Sequence, residues 1–258
     1  MSTAGGAAGV AGLDTRAESR RLTRARAARA FSSHWATRRE TSATDFYTAS
    51  MTASDEPPAS PSVETFILEG VVTTVDLAGA VNVAPMGPTV RLIDGEVDWT
   101  QLTLRPFDSS RTYRNLAEQP EGVFHVVDDV LLLARAAVGS VSPELVPSQT
   151  VSAPRLADCC RYYEFRIVDK AGERPRETLA ASVTQTGRVR DYVGLHRARH
   201  AVLEAAIVST RVHLLDAAVI EDEFTQLRPL VAKTATTRER QAWNLLVEHC
   251  KLSETIVV

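Results

Sequence analysis

Residues 66–189 form a series of short runs rich in β-branched and aromatic residues, separated by turn residues. Short strands at this spacing are typical of an all-β barrel or sandwich. The clearest turn is Asp94-Gly95, a pair that favours a two-residue hairpin between strands at 90–93 and 96–104. We therefore predict an antiparallel β-domain in this part of the chain, with helices inserted between strands.

The remaining strands of this domain are predicted at 66–75, 81–86, 122–127, 161–169 and 177–189. Pro85 falls inside the second of these strands. Because proline donates no backbone hydrogen bond, that strand must end, bulge or lie at a sheet edge there. A short helix is predicted over 108–118, and Asp128-Asp129 can cap another over 130–138. Residues 140–154 are rich in Pro and Ser and read as a surface loop.

After residue 192 the apolar residues change to a helical period. They recur at spacings of three and four from Ala198 to Leu215, which predicts an amphipathic helix over 196–215. A second helix is predicted over 221–231. Thr236, followed three residues later by Glu239, forms a capping box for a third helix. The sequence thus predicts a β-domain at residues 63–190 and a helical bundle at residues 191–258.

Residues 1–62 have no apolar periodicity and are rich in Ala, Ser, Thr and Arg. Such a segment has too little apolar surface to form a core, so we predict a disordered leader. Its arginines are scattered and fit a solvated tail better than a nucleic-acid-binding arm. Met51 offers an alternative start just ahead of the foldable part.

The composition argues against several classes of protein. A formal net charge of −3 and 44% hydrophobic residues over 258 residues give no bias toward nucleic acid or membrane. No run approaches the ~18 apolar residues of a membrane span.

The cysteines suit neither a disulfide framework nor a zinc site; they are Cys159, Cys160 and Cys250. His196 and His200 have metal-ligand spacing, but no carboxylate or cysteine motif accompanies them, so we expect no metal site. From the composition as a whole, we expect a cytoplasmic protein.

The segment that follows residue 104 has the chemistry of a phosphate-binding loop. Arg105 ends a predicted strand, and the next helix begins with Ser109, Ser110, Arg111 and Thr112. Free N–H groups and the dipole at a helix N-terminus favour an anion, and guanidinium binds phosphate through two hydrogen bonds. The spacing alone is equally consistent with an N-cap serine and solvated arginines, since serine and threonine begin helices routinely.

The stretch Asn82-Val83-Ala84-Pro85-Met86-Gly87 offers a second kind of contact. A backbone bulge at Pro85, next to the small Gly87, would let a flat ligand approach closely. Trp99 and Tyr113 can stack on such a ring, and both are equally at home in a core. The sequence therefore predicts two binding elements, one that contacts a flat ring and one that binds a phosphate.

These stretches resemble the FMN-binding split-barrel superfamily, the flavin-reductase-like group. Its members carry an Asn-x-Ala-Pro-Met/Phe segment and a Thr-x-x-Asn pair ahead of a Gly-x-Phe/Val-x-Val strand, which are here Asn82-x-Ala84-Pro85-Met86, Thr112-x-x-Asn115 and Gly122-Val123-Phe124-His125-Val126. Within it, the chain is most similar to the uncharacterised family known as domain of unknown function 447. That similarity covers residues 66–254 and includes Ile67-Leu68-Glu69-Gly70, Arg111-Thr112-Tyr113-x-Asn115-Leu116, Asp128-Asp129 and the helix at 197–205.

The resemblance implies a fold, a cofactor and a binding site. The fold is a β-barrel plus α class, an FMN-binding split barrel with a C-terminal helical bundle, in a homodimer whose FMN lies near the subunit interface. By position, backbone groups of Ala84, Pro85, Met86 and Gly87 face the flavin ring, and the phosphate is held by Arg105, Ser109, Ser110, Arg111 and Thr112. Asn115 supports that loop, and Asn82 completes the cofactor-binding set. His196 departs from the asparagine expected there, which leaves the role of that helix start open.

Two functions remain open at this stage. The first is an FMN-dependent oxidoreductase that passes electrons or hydride from NAD(P)H or another reduced donor. Because the cofactor performs such chemistry, the lack of an identifiable catalytic acid or base is no objection. The second is a non-catalytic FMN- or pterin-binding protein, namely a carrier, sensor or accessory factor in tetrahydromethanopterin-linked one-carbon metabolism, which the resemblance suggests. An interaction protein whose barrel has lost its ligand is a third reading.

Overall fold

The computed structural model describes residues 61–139 and 141–258. The predicted leader and the alternative start at Met51 lie outside the described residues. The described residues contain ten strands: β1 Val63–Ile67, β2 Gly70–Val75, β3 Val81–Met86, β4 Thr89–Ile93, β5 Glu96–Leu104, β6 Glu121–Val126, β7 Leu145–Val146, β8 Arg155–Leu156, β9 Arg161–Ala171 and β10 Thr178–Arg188. The helices are α1 Arg111–Glu118, α2 Val130–Val138, α3 Arg197–Ser209, α4 Ala217–Thr234 and α5 Thr237–His249, followed by a 3-10 turn at Glu254–Ile256.

Eight strands form one antiparallel sheet in the order β1-β4-β5-β10-β9-β6-β2-β3. The sheet curls around a core made of alternate residues from its strands, including Val72, Leu102, Phe124 and Phe165. Strands β7 and β8 form a separate ribbon, so the predicted loop at 140–154 contains a short strand. The predicted β-barrel plus α class is confirmed.

Local turn chemistry explains the hairpins. Asp94 and Gly95 both have positive φ, 52° and 83°, as a type I′ turn requires, and β4 pairs with β5 directly across them. The predicted single strand at 66–75 is wrong, because the chain passes from β1, which pairs with β4, to β2, which pairs with β3 and β6. This change of partner strands requires glycine at position 70, because a Cβ added to Gly70 would lie 2.3 Å from the carbonyl oxygen of His125.

Strand β3 lies at one edge of the large sheet, which is one of the three placements that Pro85 allows. Its pairing with β2 is regular from Val75 opposite Val81 to Gly70 opposite Met86. The expected bulge at Pro85 is therefore absent. An edge strand accommodates proline without one, because no neighbour on its outer side needs the missing N–H.

The helix caps follow the sequence closely. Asp129 Oδ1 accepts hydrogen bonds from Leu131 N at 3.0 Å and Leu132 N at 3.2 Å, and the capping box of Thr236 and Glu239 begins α5. The helix predicted over 196–215 ends earlier, at Ser209. The following turn still buries part of Leu215 against the bundle, so the apolar period continues beyond the helix itself.

The helical core is centred on Trp243, whose ring lies 5.0 Å from that of Phe224 and whose Nε1 donates to Ile256 O at 2.8 Å. Helix α2 packs into this core through Val130, Leu131, Leu133 and Ala134, although it lies between two strands in the chain. No helix within the described ranges is both long and apolar enough to cross a membrane.

Candidate functional site: the first turn of α1 and the edge strand β3

The first turn of α1 is tied to the β2–β3 hairpin by side-chain amides. Asn82 Nδ2 donates to Thr112 Oγ1 at 3.1 Å, and Asn115 Nδ2 donates to Thr74 Oγ1 at 3.0 Å. Thr74, Thr112 and Asn115 are all buried. Three of the predicted site residues, Asn82, Thr112 and Asn115, are therefore brought together by the fold.

Strand register and helix period produce this cluster. Thr74 stands directly opposite Asn82 in the β2–β3 pairing, and a 3.4 Å contact joins their side chains. Thr112 and Asn115 are three residues apart and lie on one face of α1. Thr74 was missed from the sequence. The tight turn that follows Val75 could have revealed it, because that turn fixes which residue of β2 faces Asn82.

The start of α1 presents donors in the direction of β3. Ser110, rather than Ser109, is the N-cap, and its Oγ accepts from Tyr113 N at 3.1 Å. The first helical hydrogen bond runs from Arg114 N to Ser110 O at 3.2 Å. The N–H groups of Arg111 and Thr112 precede that bond, so they are available to an acceptor outside the helix.

The arginines of the predicted phosphate loop are exposed to solvent, whereas Thr112 is buried. Arg111 Nη2 lies 3.3 Å from Asp76 Oδ2, and both side chains are partly exposed. Backbone N–H groups of the turn, chiefly that of Ala80, hold the pKa of Asp76 below its usual range, and Arg111 adds to this effect. Arg105 and Ser109 are exposed in the connection between β5 and α1.

Strand β3 leads away from this turn toward a second end of the site. Ala84 and Met86 pack against the barrel core, and Gly87 follows at the far end. At ~3.3 Å per residue, Asn82 and Gly87 are about 17 Å apart along the strand. The candidate residues thus form an elongated track with polar donors at one end and small residues at the other.

An open groove of about 550 Å³ lies beside this track rather than on it, and passes Asp76 and Gln119 on the side that faces the β7–β8 ribbon. None of the predicted site residues is among those that line it. The β3 part of the track is only partly buried in the single chain.

Two family matches agree with this architecture. Residues 68–190 match the N-terminal domain of the family described as protein of unknown function (DUF447). Residues 196–248 match the second part of the same family, also described as protein of unknown function (DUF447). The chain belongs to this family. A search of curated proteins finds no match.

A solved DUF447 structure has the same fold. The FMN-bound protein MM1853 from Methanosarcina mazei is similar with a TM-score of 0.61 and 20% identity, over 71% of this chain and 94% of that chain. This confirms the split barrel followed by helices. The styrene monooxygenase flavin reductase of Pseudomonas putida S12 has a TM-score of 0.39 and 12% identity, over 48% of this chain and 82% of that chain. Flavoredoxin of Desulfovibrio vulgaris has a TM-score of 0.39 and 12% identity, over 55% of this chain and 77% of that chain.

Several other candidates in this DUF447 chain have structural roles. His125 is fully buried, with Nδ1 3.1 Å from Val71 O and Nε2 accepting from Leu156 N at 3.0 Å. Trp99 stacks on Tyr163 in the barrel, with 4.6 Å between ring centroids. These residues are core components of the barrel.

Tyr113 and the two histidines of α3 lie apart from the barrel interior. The Tyr113 hydroxyl donates to Glu177 at 2.6 Å, which ties α1 to the loop before β10. His196 is the N-cap of α3 and makes no side-chain capping bond. The described residues hold no group of three or more His, Cys, Asp or Glu side chains with metal-site geometry.

An ion-pair cluster joins the barrel to the helices. Arg190 donates to Asp128 at 2.6 Å, and Arg199 reaches Asp128 at 3.3 Å and Glu239 at 3.0 Å. Burial works to raise the pKa of Asp128, but the two guanidinium groups outweigh it and lower that pKa. Because both arginines are matched by carboxylates, we assign the cluster a structural role.

Proposed function

We propose that this protein binds FMN along β3, with the phosphate at the first turn of α1 and the ring at the Gly87 end. The observation that carries the proposal is the hydrogen bonding of the Thr112 hydroxyl. Its oxygen accepts from Asn82, so its proton is free to be donated to an acceptor next to the N–H groups of Arg111 and Thr112. The FMN in the DUF447 protein MM1853 supports the same ligand class.

The donor set fits a phosphate dianion. A helix N-terminus, hydroxyl groups and an arginine together supply hydrogen bonds, positive potential and bidentate geometry. To contact the phosphate, Arg111 must either break its ion pair with Asp76 or bind Asp76 and the phosphate together. That exchange costs little, since an exposed ion pair contributes only about 0.2–1 kcal/mol. Arg105 and Ser109 lie in the preceding connection and would complete the phosphate contacts.

At the Gly87 end of β3, backbone groups can contact a flat ring. Ala84, Pro85, Met86 and Gly87 carry small or inward-packed side chains, so the outer side of this edge strand remains accessible to a ring. We further propose a homodimer in which a second copy covers this edge, because exposed sheet edges are normally covered and two-fold dimers are the commonest oligomers. The FMN would then lie close to the subunit interface.

We infer that the protein is a flavin-reductase-like oxidoreductase. Bound FMN supplies two-electron chemistry, and the chain binds it, orients it and limits its access to water. A reduced nicotinamide nucleotide is the proposed electron donor. FMN that binds but stays oxidised with both NADH and NADPH would instead select the second function, that of an FMN- or pterin-binding carrier, sensor or accessory factor.

The test is an FMN titration followed by flavin fluorescence, with the Arg111→Ala and Thr112→Val variants. Each lost contact to a charged phosphate is worth about 1.5–3 kcal/mol, so the dissociation constant should rise about 10- to 100-fold. Arg114→Ala is the matched control, because Arg114 is exposed on the same helix and makes no ion pair among the described residues. Urea unfolding verifies that all three variants fold.

Unchanged affinity in both site variants would refute the phosphate assignment. Failure of the wild-type protein to bind FMN would refute the proposed function as a whole. Bleaching of the bound flavin by NADH or NADPH under anaerobic conditions tests the oxidoreductase proposal separately.

A further inference from the structure

The segment Ile67-Leu68-Glu69-Gly70 joins β1 to β2, and most of it has a clear structural purpose. Leu68 N donates to Pro88 O at 3.0 Å, and the Leu68 side chain packs against the barrel core. Gly70 allows the close approach of β6. Glu69 is the exception, because packing of the fold does not require a carboxylate at this position.

The Glu69 carboxyl lies against the backbone of Gly87. A Cβ added at Gly87 would lie 2.8 Å from Glu69 Oε1 and 2.9 Å from Oε2. The side chain is partly buried and accepts no hydrogen bond from any other described residue. It thus stands at the ring end of the β3 track, opposite the donors of α1.

The surroundings of Glu69 disfavour its charged form. Burial raises the pKa of Glu69, and the nearby carboxylate of Glu204 on α3 raises it further. Ile67 on β1 approaches the same side of Gly87 as Glu69 does, and its side chain does not titrate. His200 lies one turn before Glu204 on α3. An unpaired, partly buried carboxylate beside a like charge destabilises the fold, so packing does not explain its presence.

We propose that Glu69 is the proton-exchanging residue at the ring end of the flavin site. The inference rests on the proposed function, because it takes the bound ring to lie against Gly87. With the ring against Gly87, the Glu69 carboxyl would stand next to it, within reach of a proton transfer. Its role would then be catalytic, because the carboxyl would touch the cofactor itself.

The proton and electron balance of the reductive step is simple. A reduced nicotinamide donor would supply a hydride, which is one proton carrying two electrons, and would itself be oxidised. Glu69 in its protonated form would release the proton of its own O–H bond to the reduced ring and so cancel the added negative charge. Glu69 is left as a carboxylate and regains a proton from solvent. A proton donor at this position would remove the cost of leaving that added charge unbalanced.

The test measures the FMN dissociation constant from pH 4 to pH 9, which needs no turnover. The wild-type profile should show an inflection above the ordinary pKa range of glutamate, with affinity changing several-fold across it. Glu69→Gln should abolish this inflection and leave only the change near a pH of about 6 that the FMN phosphate itself produces. Glu204→Gln should move it to lower pH, because the like charge is removed. Glu64→Gln, an exposed carboxylate on β1, is the matched control and should leave the profile unchanged.

A second measurement follows the chemistry directly. Single-turnover bleaching of bound FMN by NADH should be at least about 100-fold slower in Glu69→Gln, the usual scale of general acid catalysis. A pH profile that Glu69→Gln leaves unchanged, or that does not shift in Glu204→Gln, would overturn this inference while FMN binding stands. A wild-type protein that binds no FMN at any pH would overturn the proposed function and this inference together.

Discussion

The pH dependence of stability gives a quantitative test of the role of His125. Burial lowers the pKa of His125 from 6.5 to about 3, opposed by its hydrogen bond to Val71 O. The unfolded chain therefore takes up a proton near pH 6.5, whereas the folded chain does so only near pH 3. Between these values the unfolded state binds more protons, so the free energy of unfolding falls as the pH decreases.

The expected size follows from linkage. Each pH unit below about 6.5 removes up to ~1.4 kcal/mol, so lowering the pH from 7 to 5 should cost about 2 kcal/mol through this residue alone. Carboxylates with lowered pKa contribute little above pH 5, because in both states they remain largely ionised there. Over the window from pH 7 to pH 5, the difference between wild type and His125→Gln therefore isolates this histidine.

The assay is urea unfolding at pH 7 and pH 5, monitored by tryptophan fluorescence, for wild type and His125→Gln. The variant removes the titrating ring, so the pH-dependent loss should be about 2 kcal/mol smaller than in wild type. His213→Gln is the control, because His213 is exposed in the turn after α3 and should not alter the dependence. Equal losses in wild type and His125→Gln would show that the buried ring is not held neutral.

Two further stability tests concern the barrel closure and the helical bundle. Gly70→Ala should lose at least about 1–3 kcal/mol in urea unfolding, since its Cβ would overlap β6, whereas Gly139→Ala should be nearly neutral. Burial works to raise the pKa of Glu239, but hydrogen bonds from Thr236 and Arg199 hold it at about 2. Glu239→Gln should therefore lose about 1–2 kcal/mol at pH 7, and the difference from wild type should shrink as the pH falls toward 2.

Local sequence was sufficient wherever one short segment decides its own conformation. The Asp94-Gly95 turn needs only two residues that tolerate positive φ, and the Thr236 capping box needs only two side chains one turn apart. The Asp129 cap is of the same kind. These interactions lie within a few residues in the chain, so neighbouring segments do not alter them.

The site was predicted in part for the same reason. Ser110, Arg111 and Thr112 form the first turn of a helix, which is a local property of the sequence. The contact of Asn82 with Thr112 spans 30 residues of chain and depends on how α1 packs against β2 and β3. The motif identified both residues but not the bond between them. Thr74, which links Asn82 to Asn115, carried no motif of its own.

Sequence by itself determined the alternation of strands and helices, their caps, and the chemistry of the residues at the first turn of α1. Tertiary structure alone decided that Pro85 occupies an edge strand, that Arg111 pairs with Asp76 and that the carboxyl of Glu69 lies against Gly87. The physical reason is the range of the interactions. Caps and turns are settled by neighbours in the chain, whereas strand order, burial and the field at a carboxyl group depend on segments that meet only in the folded protein.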